Sequence, residues 1–433
     1  MHDSPLNNVN PHYLNRVVEL SATRHIEASE DVYNAVGMKL IAKGARISAE
    51  MQERLLRHKL KKPLESSLAV EDGVHSALLL DLAERVINSD VKVQPILLIG
   101  NHAVEARAIL GSLPLSGPVS MLLTLLQKGG ENELLHAVEG AMVGLVLGLQ
   151  AGVPRANLPA LAAGALLHDI GELYINPEYL RSGASLKPHE WRHVASHPLV
   201  GRMLVDELGQ FPALAGQIVL EHHERLDGSG YPRRIAGDQL SLEGLIVGVA
   251  DTICAVFRHY GKPLARAEIA MRIVPGQFPL RVTQIVNLAL RNAKPATLEG
   301  ADLPSAESMA ESMHQLLRRL AQVLIRLDEA EDDDRVQQFK PALLLAQRAA
   351  ERVRLIQLAF SSTGLDSLPH GEHLQWLQQV DRDLLFEVIV VIEEIAWRLR
   401  ELGRDLQLRS EDLPEDVRSV FVPLIDALHS AHG

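Results

Sequence analysis

Five histidines and two aspartates interrupt stretches that are otherwise apolar. His136 lies in LLHAVEGAMVGLVLGL, His168 and Asp169 in LLHDIGELYI, His197 in ASHPLVGRMLV, His222 and His223 in HHERLDGSGYP, and Asp251 in LIVGVADTICAV. Any one of them alone suits a hydrogen-bonded core residue. Together they impose several uncompensated burial costs unless they share partners, and a metal centre removes that difficulty. Nitrogen and carboxylate donors without cysteine suit Fe, Mn, Co or Zn and disfavour Ca or Mg, which prefer oxygen shells. Seven candidates exceed the needs of one tetrahedral ion. Two ions bridged by a carboxylate, about 3.5 to 4 Å apart, use them and leave room for a bridging hydroxide. Phosphodiester hydrolysis is the natural reaction for such a pair.

Neighbouring residues support the same reading. Side chains adjacent in a helix point about 100° apart, so His168 and Asp169 reach one centre only near a helix end, which Gly171 suggests. The same angle between His222 and His223 calls for a site wider than one ion. Glu224 and Asp227 are expected to brace the imidazoles and the turn rather than bind metal. Gly228 and Gly230 allow loop conformations that a side chain would hinder, and Pro232 fixes the exit. His189 and His193, in SLKPHEWRHVASHP, read as exposed helix histidines.

The groups are separated by 25 to 32 residues, an interval that fits one or two helices plus loops, so each donor arrives from a different helix. From about Met121 to Ala293, apolar segments of helical period alternate with short breaks. Upstream, residues 24–60 hold two short alternating runs around a glycine turn, and Ser48 offers an N-cap to an amphipathic helix: a small α+β unit. KKPLESSL then reads as a linker, and PLSGPVS, Pro114 to Ser120, punctuates the helices that follow. Downstream, Met313, Leu316, Leu317, Leu320, Val323, Leu324 and Leu327 form one helix stripe, which EAEDDDR ends as a solvated loop. Two further helices, roughly 341–360 and 372–402, complete a C-terminal bundle without evident chemistry; VIVVI at 388–392 is expected to be buried in it.

At 433 residues the chain is too long for a single ordinary core. With 47% hydrophobic residues but 4% aromatics, and Leu and Ala dominant, it is expected to be mainly α. A formal charge of −12 argues against a nucleic-acid polymer as partner. Cys254 is the only cysteine, so no intrachain disulfide forms and a reducing cytoplasm is the simplest compartment. MHDSPLNNVN has neither a basic nor an apolar leader region, and no run reaches the ~18 apolar residues of a membrane span.

In order and spacing, His136, HDIG at 168–171, His197, HHERLDGSGYP at 222–232 and the aspartate of VAD at 251 resemble the HD-GYP family of bacterial cyclic di-GMP phosphodiesterases, part of the HD superfamily of metal-dependent phosphohydrolases. The resemblance covers roughly residues 118–298. It implies an all-helical HD-superfamily domain, often preceded in the family by a small regulatory unit. With the patterns above, the chain is expected to be mainly α in three parts: a small N-terminal α+β regulatory unit (1–75), an HD-superfamily helical domain (76–300) and a C-terminal helical bundle (301–433). The resemblance also implies hydrolysis of cyclic di-GMP to pGpG, and onward to GMP in some members, with two or three iron or manganese ions. By motif position His136, His168, Asp169, His197, His222, His223 and Asp251 are then ligands, with Asp169 bridging. His168, Asp169 and position 172 fall to catalysis, and Gly228, Gly230, Tyr231 and Pro232 to the substrate side. The flanking regions admit protein partners and a homodimer, though no sustained heptad marks a seam.

The chain departs from the family in three places. Asn132 stands where trinuclear members carry Glu, which favours two ions over three. Glu172 replaces the lysine of HDxGK, expected to touch the scissile phosphate; losing a charged hydrogen bond of about 1.5–3 kcal/mol costs about ten- to a hundredfold. The basic run after Asp251 becomes TICAVFRHYGKPLAR, with Arg258 and Lys262 as nearby substitutes. Three readings follow: an active cyclic di-GMP phosphodiesterase, a metal-bound but catalytically weak sensor or protein-interaction module, and a phosphohydrolase for another cyclic dinucleotide or nucleotide.

Overall fold

A computed structural model describes residues 4–89, 92–128, 131–181, 186–259, 266–269, 271, 276–293, 303–365 and 372–429. The chain is mainly α. It divides into two compact units, one formed by residues 1–259 with 276–292 and the other by 260–275 with 293–433.

The first unit opens on α1 (Pro11–Ser21), started by Asn10, whose side chain accepts the backbone N–H groups of His12 and Tyr13. Two small antiparallel sheets follow. β2 (Val32–Tyr33) pairs with β3 (Lys39–Ile41) across a turn in which Asn34 accepts from Val36 and Met38. β1 (Ile26–Ala28) pairs with β4 (Leu68–Val70), Ile26 opposite Val70 and Ala28 opposite Leu68. The stretch KKPLESSL is therefore no linker: residues 64–67 make one 3-10 turn and Leu68 begins a paired strand. Its buried leucines, rather than its Lys-Pro start, decide its structure. α2 (Ala49–Leu56) begins after Ser48 as the sequence suggests, although the Ser48 side chain makes no capping bond.

Helices α3 (Ser76–Ser89), α4 (Gln94–Leu97), α5 (Ala103–Gly111) and α6 (Gly117–Lys128) lead into the core. There α7 (Glu131–Ala151), α8 (Leu158–Leu166), the short α9 (Pro188–Val194), α10 (His197–Leu208), α11 (Ala213–Glu221) and α12 (Leu242–His259) are followed by α13 (Leu280–Asn292). α7 packs on α8 and α12, and α11 packs on α8, α10 and α12. These helices are apolar on more than one face, as helices enclosed by other helices must be. Among the described residues one helix, Glu133–Ala151, is long and apolar enough to cross a membrane, and 83% of that window is buried inside the fold.

The second unit is a bundle of α14 (Ala306–Asp332), α15 (Asp334–Gln338), α16 (Lys340–Ser361), α17 (His373–Leu377), α18 (Arg382–Ser410) and α19 (Glu415–His429). The stripe from Met313 to Leu327 faces its core, and VIVVI is buried within α18. Helix α14 continues through the acidic run to Asp332. The run is helix rather than loop until Asp333, which caps α15 by accepting from Arg335.

The 3-10 turn at 64–67 places Glu65 in the interior of the first unit, where it is 4% exposed and accepts a hydrogen bond from the Tyr174 hydroxyl. Burial, partly offset by that bond, pushes the Glu65 carboxyl up to about 7. Folding therefore holds a proton that the unfolded chain releases near 4.5, so the folded state gains from Glu65 below that pH and loses the gain as pH rises through about 7. Urea denaturation of the wild type should show up to about 3 kcal/mol of stability disappearing across that window, at 1.36 kcal/mol per pH unit. Glu65→Gln should flatten that part of the profile; an unchanged slope would show that Glu65 does not titrate there.

Candidate metal centre

Helix α8 ends at Leu166, and His168 and Asp169 occupy the turn between it and the 3-10 segment Ile170–Tyr174. Nδ1 of His168 lies 2.8 Å from the carbonyl of Ala165. The same contact recurs twice: His197, at the start of α10, reaches the carbonyl of Val194 at 2.8 Å, and His222, just past α11, that of Val219 at 2.6 Å. A carbonyl only accepts, so all three rings carry hydrogen on Nδ1 and present an unprotonated Nε2 when neutral.

The three Nε2 atoms converge on Asp169. Its Oδ1 lies 3.4 Å from His197 and 3.6 Å from His222; its Oδ2 lies 3.1 Å from His168 and 3.9 Å from His136. Asp251, from α12, places Oδ1 3.5 Å from His136 Nε2 and 3.7 Å from His168 Nε2, and Oδ2 3.8 Å from His223 Nδ1. Two sets of donors result, each with its ligand atoms within 4.8 Å of one another: His136, His168, Asp169 and Asp251, and Asp169, His197, His222 and His223. Asp169 belongs to both.

This donor set fits divalent cations. Nε2 of His168 is buried without a hydrogen-bond partner, and the Nε2 atoms of His197 and His222 face each other at 3.3 Å. Two lone pairs in that position repel unless a cation or a proton lies between them. Burial alone would raise Asp169, but His168, His197 and His222 outweigh it and hold the carboxyl well below the ordinary range. Asp251 is likewise held low against burial, by His136, His168 and His223. Burial pulls His223 well below the usual imidazole range and lowers His222, helped in both by neighbouring imidazoles; for His168 and His197 the carboxylates prevail over burial and raise them.

The loop after His223 is built to hold these rings. Glu224 is fully buried and its Oε1 accepts the backbone N–H groups of Arg233 at 2.7 Å and Arg234 at 3.1 Å. Asp227 is exposed and accepts from Ser229 N at 2.9 Å. Tyr231 stacks on His223 with centroids 4.5 Å apart, and half-buried Pro232 ends the turn. Gly228 has φ +72°, the left-handed region. A Cβ on Gly230 would lie 2.4 Å from the carbonyl oxygen of His223.

Not every residue singled out in the sequence joins the centre. Glu172 lies beside it: burial first, then the charges of Asp169 and Glu133, push its carboxyl up to about 8 against the pull of His197 and His168. Arg258 is exposed near the end of α12. Lys262 lies outside the described residues, as does the side chain of Asn132. His189 is exposed, but His193 is half-buried, with its ring 6.0 Å from His12 and 5.9 Å from Tyr179. The exposed reading of His193 is thus corrected by a helix, α1, that the motif spacing gave no reason to place there. Glu221 also escaped notice: 1% exposed, it accepts from Ser241 N and Oγ, Gln217 and Arg233 and so ties α11 to the start of α12. Its signal was a carboxylate in the apolar run IVLEHH.

Residues 132–274 match the family model described as HD domain. A cyclic di-GMP phosphodiesterase of Pseudomonas aeruginosa is 28% identical over 218 residues, 49% of this chain and 52% of its own. A 3'3'-cGAMP-specific phosphodiesterase of Vibrio cholerae is 35% identical over 121 residues, 28% of this chain and 26% of its own. A cyclic di-GMP phosphodiesterase of Thermotoga maritima is 32% identical over 149 residues, 34% of this chain and 40% of its own. The matches thus span about half the length of these relatives or less.

Gly171 tests how tightly the centre is packed. A Cβ there would lie 2.0 Å from the carbonyl oxygen of His197 and 2.8 Å from the backbone N of Gly201, so α10 would have to move. Gly171→Ala should cost at least about 2–3 kcal/mol in thermal denaturation and reduce bound metal, because His197 leaves with its helix. Unchanged stability and metal content would mean that α10 is not held at this distance.

Proposed function

We propose that the HD domain at residues 132–274, HD-GYP in its motifs, is a metal-dependent phosphodiesterase that opens cyclic di-GMP to linear pGpG, with a further cut to GMP within its reach. The observation that carries this reading is the Asp169 carboxylate, one oxygen among His197 and His222, the other beside His168 and His136. On it, His136, His168, Asp169 and Asp251 would hold one divalent ion and Asp169, His197, His222 and His223 a second, Fe or Mn by donor type. Such ions, when bound, polarise a phosphoryl oxygen and acidify water.

The protein's own groups prepare the site. The Nδ1 bonds of His168, His197 and His222 keep each Nε2 directed at the centre, which spares the rings a reorientation cost on loading. Tyr231, stacked on His223, shields that ring from water, and with Gly228, Gly230 and Pro232 forms the wall assigned to substrate. Glu172 is the departure that matters most. Burial raises its carboxyl, and a glutamate there supplies none of a lysine's positive charge to a phosphate. That substitution supports a second reading, a metal-bound protein that binds a cyclic dinucleotide and turns it over slowly. The relative specific for 3'3'-cGAMP makes that dinucleotide the first alternative substrate. The buried single cysteine, Cys254, suits a reducing cytoplasm.

Anaerobic reconstitution with Fe or Mn, followed by product analysis on a panel of cyclic dinucleotides, tests the proposal. About two ions per chain and pGpG as product are expected, with both lost in Asp169→Ala; hydrolysis that survives in a metal-free protein would remove it. Glu172→Lys should raise turnover about ten- to a hundredfold. A fall instead would give Glu172 a role of its own and point to another substrate. Tight binding of cyclic di-GMP by the loaded protein without linear product would decide for the second, catalytically weak reading.

A further inference from the structure

The centre is crowded with carboxylates. Asp169 and Asp251 lie inside it, Glu172 beside it, and Glu133 sits one turn before His136 on α7, close enough for its charge to act on Asp169 and Glu172. Beyond any bound ions, a dinucleotide's phosphates gain from cationic side chains, yet two nearby arginines are already engaged. Arg225 lies over the Phe278 ring at 4.6 Å and donates to the carbonyls of His222 and Glu224; Arg233 bonds Glu221.

Arg16 is placed differently. Its helix, α1, packs against the 170–174 segment that follows the His168-Asp169 turn. Tyr13 stacks on Tyr174 with centroids 5.4 Å apart, and Asn10 Nδ2 donates to the Tyr174 carbonyl at 3.3 Å. Arg16 follows Tyr13 by one helical turn and so lies on the same side of α1. It is half-buried, and its Nε is buried with no hydrogen-bond partner. Burial raises the Glu133 carboxyl, and the charges of Arg16 and Arg258 pull against that rise, so both guanidinium groups act on it electrostatically. Arg258 follows Asp251 by seven residues on α12, about two turns, and therefore shares its face.

We propose that Arg16, carried by the N-terminal helix, binds a phosphate of the cyclic dinucleotide and supplies the positive charge that position 172 lacks in this chain. The inference rests on the phosphodiesterase reading. The planar fork of arginine matches two phosphate oxygens at once, and its terminal nitrogens carry the contact. The N-terminal unit is then part of the substrate site, so whatever shifts α1 against residues 170–174 alters affinity for substrate.

The test uses the metal-loaded chain with its N-terminal helix in place. Arg16→Ala should raise KM, and the Kd for cyclic di-GMP measured by equilibrium binding, at least about tenfold. Metal content should be unchanged and kcat should move less than KM. Arg16→Lys should recover part of the affinity, and the salt dependence of binding should weaken in Arg16→Ala, as removal of one phosphate contact requires. If KM and Kd stay at wild-type values while only the melting temperature falls, Arg16 merely neutralises Glu133 and the proposal is overturned. If the loaded wild type neither binds nor cleaves a cyclic dinucleotide, the phosphodiesterase reading fails and this inference with it.

Discussion

A hydrogen bond from an imidazole Nδ1 to the carbonyl three residues earlier, made by His168, His197 and His222, is the interaction on which the rest of the centre depends. It fixes ring orientation and tautomer together, leaving three Nε2 atoms aimed at a single carboxylate. Each bond requires the histidine to sit where backbone carbonyls are open, at a helix start, a helix end or in a turn. The lengths of α8, α10 and α11 therefore matter as much as their apolar faces. The close approach of α10 to Gly171 follows from the same demand, since His197 must arrive within reach of Asp169.

The buried carboxylates set the second constraint. An ionised carboxylate away from water is tolerated only with opposite charge or several donors around it. Asp169 and Asp251 find imidazoles, Glu221 finds Ser241, Gln217 and Arg233, and Glu224 finds backbone N–H groups on one oxygen only, so burial still raises its carboxyl. Glu65 has the Tyr174 hydroxyl and little else, and its carboxyl rises accordingly. Tyr174 also stacks on Tyr13, so one aromatic residue joins the N-terminal helix and the 64–67 turn to the segment that follows the His168-Asp169 turn.

Much of the centre was legible in the sequence because polar residues on apolar helical patterns stand out, and seven of them at helix-length intervals point to one cavity. The adjacent pair before Gly171 announced a helix end, and α8 does end there. The helical class followed from composition, and the stripe from Met313 to Leu327 from its period. The errors have physical causes. KKPLESSL looked like a linker because pairing of Leu68 with Ala28 is a long-range contact that local chemistry does not encode. The acidic run looked like a loop, yet acidic residues facing solvent are tolerated in a helix, and α14 passes through most of them. His193 is half-buried against His12 because α1 folds back on residues far away in the chain, which no motif spacing announces.

Anomalous diffraction from crystals of the reconstituted protein, collected at the absorption edge of the metal supplied, tests the central claim most directly. Two peaks should flank Asp169, one beside His136, His168 and Asp251 and the other beside His197, His222 and His223. A single peak, or peaks away from Asp169, would contradict a centre bridged by that carboxylate.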